Sequence, residues 1–317
     1  MKDIQKHIIL RTKGLSIGYS SKKEQTIICS NININLQQGE LIGLIGANGI
    51  GKSTLLRTLT NVQKPLQGSI QINGKNMNEY QAIDLAKVLS LVLTESMPSK
   101  NLTVYELVAL GRQPYTNWVG SLTSDDMDKV NEALRLTNIE NLKNKNCFEL
   151  SDGQLQKAMI ARALAQDTDL IILDEPTTHL DMYHKAYILK LLQKLAQETK
   201  KTILFSSHEI DLAIQLCDTI IVMTADHVIS DEPCHLISKG VFAVFYSIIF
   251  YLYLKVFETK ENGTHYFKIK DVFQTETYKQ KFEIARLEAI KTAEEVKLNE
   301  AKYRTLTNIS HVGVFHT

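Results

Sequence analysis

The fold is decided by one stretch of the chain, Gly46-Ala47-Asn48-Gly49-Ile50-Gly51-Lys52-Ser53. This is a complete G-x-x-x-x-G-K-S pattern, in which a glycine-rich loop brings backbone N–H groups close to phosphate oxygens. Lys52 is expected to reach the β- and γ-phosphates, and the Ser53 hydroxyl to ligate Mg²⁺. The pattern therefore predicts a site for a nucleoside triphosphate.

The segments on either side of the loop support this interpretation. Residues 39–45 form a short apolar run after a turn, which is typical of a strand buried in a parallel sheet. Residues 53–59 carry apolar side chains at helical spacing. The positive end of that helix would face the phosphates. A chance glycine-rich turn does not explain the Lys-Ser pair in a strand-to-helix context.

A second buried-strand pattern ends in two carboxylates, Leu170-Ile171-Ile172-Leu173-Asp174-Glu175. In phosphoryl-transfer sites, one such carboxylate holds Mg²⁺ and a neighbour orients and deprotonates the attacking water. We assign the metal to Asp174 and the water to Glu175. The alternative is a helix N-cap followed by a first-turn acid. That alternative leaves Pro176 unexplained.

Further motifs give the chain a family resemblance. Leu150-Ser151-Asp152-Gly153-Gln154, followed by a helical stretch over 155–166, resembles the signature motif of ATP-binding cassette (ABC) proteins. Thr178-His179-Leu180-Asp181 resembles the D-loop of that family. The strand over 202–207 with His208 resembles its switch. The resemblance covers residues 11–238 and implies an α/β fold, a P-loop NTPase sheet core with an inserted helical subdomain.

The resemblance implies that ATP lies between two copies of the domain, so that the P-loop of one faces the signature motif of the other. Glu175 and His208 would be catalytic, and Asp181 would couple the two sites. Mg²⁺ would be held by Ser53, Asp174 and Thr94. Tyr19 stands where the family stacks an aromatic ring on adenine; an ordinary strand-end tyrosine is the alternative. The full set of ATP-binding residues would be Tyr19, Gly46, Ala47, Asn48, Gly49, Ile50, Gly51, Lys52, Ser53, Thr54, Ser151, Gly153, Gln154 and Asp181.

Two positions depart from the family pattern. Asp152 stands where the signature motif usually has a glycine. A solvent-facing Asp152 would be tolerated, whereas an inward-facing one would repel the γ-phosphate and slow turnover. In the Q-loop, Thr94-Glu95 replaces the glutamine that contacts Mg²⁺ in the family. Either residue offers an oxygen, and the sequence does not choose between them.

Residues 101–115 and His179 are similar to the ATPases of iron-siderophore, haem and vitamin B12 importers. This similarity implies a homodimer on the cytoplasmic face of the inner membrane, bound to polytopic permease subunits and served indirectly by a substrate-binding protein. The helical subdomain would receive a coupling helix from the permease. The alternative is a soluble or sensor-linked ABC ATPase without a transport role.

Composition agrees with a nucleotide-binding protein and excludes some partners. The 317 residues carry a formal net charge of +1 and no long basic block, so nucleic acid is not an expected partner. Four scattered cysteines indicate reduced thiols rather than a disulfide framework or a metal motif. Residues 1–13 lack the apolar region of a signal peptide.

The C-terminal part differs in character. Residues 241–254 are apolar and aromatic, and as a helix they would span only about 21 Å of a ~30 Å hydrocarbon core. We expect a C-terminal extension of the ATPase over 239–270, with a hairpin over 256–263; a membrane anchor is the alternative. Residues 271–317 are expected to form a helical tail with a weak heptad over 275–303, whose end resembles a truncated PAS-domain linker. An amphipathic tail helix without a fusion is the alternative.

Overall fold

The structure is a computed structural model that describes residues 7–20, 24–93, 101–224 and 227–244. The predictions for Thr94, Glu95, the hairpin, the heptad and the PAS-like end lie outside these residues. The chain divides into two compact units, Met1–Pro233 and Cys234–Thr317. All of the predicted site residues belong to the first unit.

A six-stranded sheet forms the centre of the first unit, with strand order β11-β10-β4-β9-β8-β7. Neighbouring strands from β10 to β7 run parallel, and β11 pairs antiparallel with β10. Every residue of β4, β8 and β9 is buried, as expected for strands covered on both faces. The strands are β4 (Leu41–Gly46), β7 (Leu89–Val92), β8 (Leu170–Leu173), β9 (Thr202–Ser207), β10 (Thr219–Met223) and β11 (Val228–Asp231).

A second, antiparallel sheet has the strand order β2-β1-β5-β6, with β3 also paired to β1. Its longest strand, β1, carries Tyr19 close to its end, so this sheet contributes to the edge of the predicted site. The strands are β1 (Ile8–Ser20), β2 (Gln25–Ile32), β3 (Asn35–Gln37), β5 (Gln67–Ile72) and β6 (Lys75–Asn76).

Helices connect the parallel strands, and three of them lie between β7 and β8 in the sequence. The helices are α1 (Lys52–Leu59), α2 (Ala82–Leu85), α3 (Val104–Ala109), α4 (Ser124–Leu136), α5 (Asp152–Ala165), α6 (Met182–Thr199), α7 (Ile210–Leu216) and α8 (Pro233–Ser238). The three inserted helices, α3, α4 and α5, pack on one another and form the predicted helical subdomain. The α/β class and the inserted helices are thus confirmed.

The phosphate-binding loop lies between the central strand β4 and helix α1, as predicted. Leu55, Leu56 and Leu59 of α1 are fully buried in one hydrophobic cluster with Ile42 and Leu44 of β4. This packing fixes the start of α1 at the carboxyl end of β4. Parallel strands present their carboxyl ends at one edge of the sheet, which is where ligands bind in such folds.

Residues Val241–Val244, which begin the apolar run, form a 3₁₀ turn. Phe242 in this turn is buried. The remainder of the run lies outside the described residues. Within the described ranges, no helix combines the length and the hydropathy that a membrane crossing requires.

Candidate active site

A cavity of ≈ 520 Å³ opens at the carboxyl edge of the parallel sheet. Segments that are far apart in the sequence meet there, as parallel-sheet topology requires. The lining residues are Tyr19, Ile28, Asn48, Gly49, Gly51, Lys52, Ser53, Thr54, Glu175 and His208. Most of the residues predicted to bind nucleotide within one chain therefore surround the same space.

The loop between β4 and α1 is closed by its own lysine. Lys52 Nζ donates to the carbonyl oxygens of Gly46 and Ala47, at 3.0 and 3.1 Å. Burial lowers the pKa of Lys52, while the charges of Glu175 and Asp174 partly oppose that shift. The ammonium group is thus held within the loop, against two carbonyls that a phosphate would replace as its partners.

Gly51 is the position where the loop demands glycine. It precedes α1 with φ +110°, in the region that side chains disfavour. A Cβ there would also lie 2.5 Å from Ile28 Cγ2. The loop therefore approaches β2 more closely than any other residue type would allow.

Asp174 follows β8 directly and accepts two hydroxyl hydrogen bonds on the same oxygen. Ser53 Oγ donates to Asp174 Oδ1 at 3.2 Å, and Ser206 Oγ donates to it at 2.7 Å. Ser206 Oγ also accepts the backbone N–H of Glu175 at 2.8 Å. The fully buried Ser206 thus fixes both the carboxylate of Asp174 and the backbone of the next residue.

Glu175 is held by two partners through its two carboxylate oxygens. His208 Nε2 lies 2.7 Å from Oε1, and Thr178 Oγ1 donates to Oε2 at 3.0 Å. The backbone of Glu175 has φ +46°, a strained value for a residue with a side chain. Such strain persists only where neighbouring contacts impose it, and here the Ser206, Thr178 and His208 contacts do so.

The charge state of Glu175 follows from these contacts. Burial opposes ionisation of Glu175, but the hydrogen bonds from His208 and Thr178 outweigh it, and the net effect lowers its pKa. Glu175 is therefore a carboxylate at neutral pH. An ionised carboxylate can accept a hydrogen bond, and finally a proton, from a bound water.

Ser53 and Asp174 supply the oxygen ligands that Mg²⁺ prefers. The 3.2 Å contact between their oxygens brings a hydroxyl and a carboxylate to one point beside the loop. The donor chemistry therefore fits a magnesium ion bound to a nucleotide phosphate. Thr94, the third predicted ligand, lies outside the described residues.

Tyr19 lies at the rim of the cavity. Its hydroxyl pairs with Thr54 Oγ1 at 3.1 Å, while 56% of the residue remains exposed. The ring is thus anchored at one end and accessible over its surface. This geometry is compatible with stacking on a base.

The signature and D-loop residues form a separate cluster. Ser151 caps α5, and its Oγ accepts the N–H of Gln154. Asp181 caps α6 and pairs with the ring of His184 at 2.8 Å. A Cβ at Gly153 would lie 3.2 Å from His184 Cδ2, so the two helix starts are in contact.

Among the described residues, the cavity lining does not include Ser151, Gly153, Gln154 or Asp181. Asp152, the residue that departs from the family pattern, is exposed at the first position of α5. Gly46, Ala47 and Ile50 shape the loop, although the lining does not include them.

Sequence reasoning missed the roles of Ser206 and Thr178. The available signal was a hydroxyl residue two positions before His208 and another three positions after Glu175.

Comparisons with known proteins agree with this site. The ABC transporter family matches residues 29–178. An uncharacterized ABC transporter ATP-binding protein of Methanocaldococcus jannaschii, MJ0873, is 42% identical over 222 residues, which are 70% of this chain and 75% of that protein. The iron(3+)-hydroxamate import ATP-binding protein FhuC of Bacillus subtilis is 36% identical over 222 residues, 70% of this chain and 81% of its own length.

Among solved structures, the chain is similar to the dimeric ATP-binding cassette MJ0796 in a post-hydrolysis state with ADP and Pi bound. The TM-score is 0.61 and the identity 27%, and the match covers 71% of this chain and 99% of that one. The motifs, the cavity and these matches agree, and the chain belongs to the ABC transporter family of ATP-binding ATPases.

Proposed function

We propose that this chain is the ATP-hydrolysing subunit of an importer that takes up an iron chelate, haem or cobalamin through a separate membrane permease. The observation that carries the hydrolytic part is the position of Asp174 and Glu175, side by side at the end of β8 and facing the phosphate-binding loop. One carboxylate touches the Ser53 hydroxyl, and the other touches His208.

In this proposal the loop binds the triphosphate through its N–H groups, and Lys52 neutralises the β- and γ-phosphates. Ser53 and Asp174 would hold Mg²⁺, which would supply positive charge against the phosphate oxygens. Tyr19 stacks on adenine. Asn48, Gly49 and Thr54, which line the cavity, complete the nucleotide contacts.

Glu175 acts as the base toward the attacking water, and His208 orients the water and the γ-phosphate. The 2.7 Å contact between Glu175 and His208 leaves no space for a water between those two atoms. A water that bridges these two atoms therefore requires the pair to separate. Thr178 holds the other oxygen of Glu175 during that movement.

The signature residues act on the nucleotide of a second copy. Ser151, Gly153 and Gln154 stand at the start of α5, where backbone N–H groups and the helix dipole favour an anion. Within one chain these residues do not line the cavity. A homodimer supplies them in trans, and Asp181 at the start of α6 couples the two sites.

The membrane partner and the cargo rest on similarity. FhuC is an import ATP-binding protein for iron(3+)-hydroxamate, and the likeness extends over most of its length. We propose a peripheral position on the cytoplasmic face of the membrane, with polytopic permease subunits as partners and a substrate-binding protein as an indirect one. The ATPase domain would span residues 11–238, followed by the extension over 239–270 and the tail over 271–317.

The division of roles is tested with Lys52→Ala and Glu175→Gln. Lys52→Ala should abolish tight ATP binding, because the loop loses its phosphate counter-charge. Glu175→Gln should bind ATP normally and arrest hydrolysis. Nucleotide affinity and phosphate release are measured on both. Equal loss of affinity in the two variants, or normal turnover of Glu175→Gln, would refute this division.

The trans arrangement is tested by mixing Lys52→Ala chains with Ser151→Arg chains. Each homodimer has two defective sites, whereas a mixed dimer keeps one intact site and should recover turnover. Light scattering on Glu175→Gln should show a dimer with ATP and a monomer without it. A monomeric mass in ATP, together with no recovery on mixing, would count against the proposal.

The transport role is tested in vesicles that contain the chain and its co-purified permease. ATP-dependent uptake of iron-loaded hydroxamate, haem and cobalamin is compared, with Glu175→Gln as the inactive control. Failure to co-purify with any polytopic membrane protein would favour the soluble alternative.

A further inference from the structure

An ion pair outside the cavity joins the two chain segments that carry the catalytic residues. Lys185, the fourth residue of α6, places its Nζ 2.5 Å from Oε1 of Glu209, which follows His208. The side chains are only 25% and 22% exposed. Neither residue lines the nucleotide cavity.

The same two segments are therefore connected twice. Residue 175 pairs with residue 208 inside the cavity, and residue 185 pairs with residue 209 outside it. The backbone between the two contacts is also restrained, because the N–H of Glu209 donates to Ser207 Oγ at 2.9 Å. Holding Glu209 therefore limits where the adjacent His208 can point.

The Glu175–His208 and Lys185–Glu209 contacts behave differently during the proposed reaction. A water that bridges Glu175 and His208 would open their contact, because its atoms lie at hydrogen-bond distance. The Lys185–Glu209 pair uses neither of those groups and can remain closed. It is then a side-chain link between the segment of His208 and Glu209 and the start of α6.

The position of Lys185 in its helix supports a specific role. A positive charge near the N-terminus of a helix is unfavourable, because the helix dipole is positive at that end. Asp181 caps α6, but no acidic residue occupies the first turn after it, where one would be favoured. Glu209 compensates the charge of Lys185 from another element.

We propose that Lys185 is a positioning residue for ATP hydrolysis: with Glu209, it holds the switch segment so that His208 reaches the γ-phosphate and the attacking water. This inference rests on the proposed roles of Glu175 and His208. It predicts an effect on the hydrolytic step rather than on nucleotide binding, since the phosphate-binding loop is untouched.

Charge reversal tests the pair directly in the full-length protein. Lys185→Glu and Glu209→Lys should each lower kcat about fivefold or more, through repulsion between like charges, with the KM for ATP within about twofold of the parent. The double variant restores the ion pair with the acidic and basic residues exchanged between the two positions, and it should recover most of the lost kcat. Glu at position 185 is compatible with the helix dipole, so α6 should persist.

The chain offers a matched control on the same helix. Lys194 and Glu198 form a more exposed pair at 3.7 Å, with 55% and 48% exposure. Lys194→Glu and Glu198→Lys should leave kcat within about twofold, because exposed pairs contribute little. Lys185→Arg, which keeps the charge, should also turn over almost normally. Thermal unfolding of every variant identifies any loss of fold. Lys185→Met removes the ion pair without placing a like charge beside Glu209, and its kcat should therefore fall less than that of Lys185→Glu.

Single reversals with unchanged kcat, or a double variant no faster than the slower single, would overturn the proposal. The proposal would also be overturned if the Lys194→Glu and Glu198→Lys controls showed the same rise of KM and fall of kcat as the Lys185 and Glu209 reversals. The effect would then be a general one of surface charge. Glu175→Gln is measured in parallel. Normal turnover of that variant would refute the base assignment, while the comparison of single and double reversals would still decide whether the pair supports hydrolysis.

Discussion

At the scale of single residues, Ser206 connects the carboxylate of Asp174 with the backbone of Glu175. Its hydroxyl donates to Asp174 and accepts the N–H of Glu175, and the residue is fully buried in β9. A buried hydroxyl that both donates and accepts fixes its neighbours more tightly than a contact of either kind alone. The strained backbone of Glu175 depends on such restraint.

We predict that Ser206→Ala lowers kcat about tenfold while ATP affinity changes little. The loss leaves the N–H of Glu175 without this acceptor and removes one of the hydroxyl donors to Asp174. Ser90 is a matched control, since it is also buried in the parallel sheet but pairs with Thr168 instead. Ser90→Ala should keep normal turnover. Steady-state kinetics over a range of Mg²⁺ concentrations separates the two variants, and equal effects of both would contradict the assigned role.

At the scale of elements, the inserted helices are fastened by a buried ion pair. Arg112 Nε donates to Asp126 Oδ1 at 2.8 Å, and both side chains are 4% exposed. Arg112 also donates to the carbonyl of Ala165 at the end of α5. Asp126 is at the same time the capping-box partner of Thr123 at the start of α4. One arginine therefore ties the turn after α3 to both α4 and α5.

We predict that Arg112→Ala destabilises the protein by about 3–5 kcal/mol, because it leaves the carboxylate of Asp126 buried without its counter-charge. Denaturant unfolding measures this loss. Replacing both partners, as Arg112→Met with Asp126→Leu, should cost less than Arg112→Ala, since no charge is stranded and only the capping contact with Thr123 is lost in addition. Lys194→Ala, in an exposed pair, should cost about 0.5 kcal/mol or less. A small loss for Arg112→Ala would show that solvent reaches Asp126.

A second link joins the inserted helices to the segment before β9. Asp167 accepts from Lys201 and pairs with Lys129 of α4, at 2.8 and 2.9 Å. Burial alone would raise the pKa of Asp167, but the hydrogen bonds and charges of the two lysines lower it to about 2. Asp167 lies in the left-handed region with φ +57°, which Asn also tolerates.

We predict that Asp167→Asn lowers stability at pH 7 by on the order of 1 kcal/mol, after allowance for its 36% exposure. Because the folded pKa lies below the unfolded one, the stabilisation is complete above pH 3.8 and is lost as the pH falls toward 2. The difference between the variant and the parent should therefore shrink between about pH 4 and pH 2. Unfolding curves across this range measure it, and a constant difference would exclude the ionised pair as its source.

At the scale of the whole molecule, the parts that could be predicted from the sequence are those written in contiguous motifs. Local sequence patterns predict three of these parts: the loop at 46–53, the strand that ends before Asp174 and the strand that precedes His208. The contacts of Ser206 with Asp174 and of Lys185 with Glu209 join residues 32 and 24 positions apart. Such contacts depend on how strands and helices are arranged in space, so a local sequence pattern does not predict them.

The last prediction concerns the C-terminal part of the chain. Every side chain assigned to nucleotide binding or hydrolysis within the described residues lies between Tyr19 and His208. The relatives that match this chain do so over about 70% of its length, which is the length of the cassette. We therefore expect a chain cut after Lys270 to hydrolyse ATP with kcat and KM within about twofold of the parent.

The same truncated chain should still form the ATP-dependent dimer when Glu175→Gln is present, because the proposed contacts in trans come from α5 and α6. Light scattering and co-purification with the permease measure this. Cutting instead after Gly240 should reduce soluble yield, because the buried Phe242 would be lost. A chain ending at Lys270 that no longer dimerised with ATP would show that residues 271–317 are a working module. The sensor-linked alternative would then replace the interpretation of the tail as a truncated fusion.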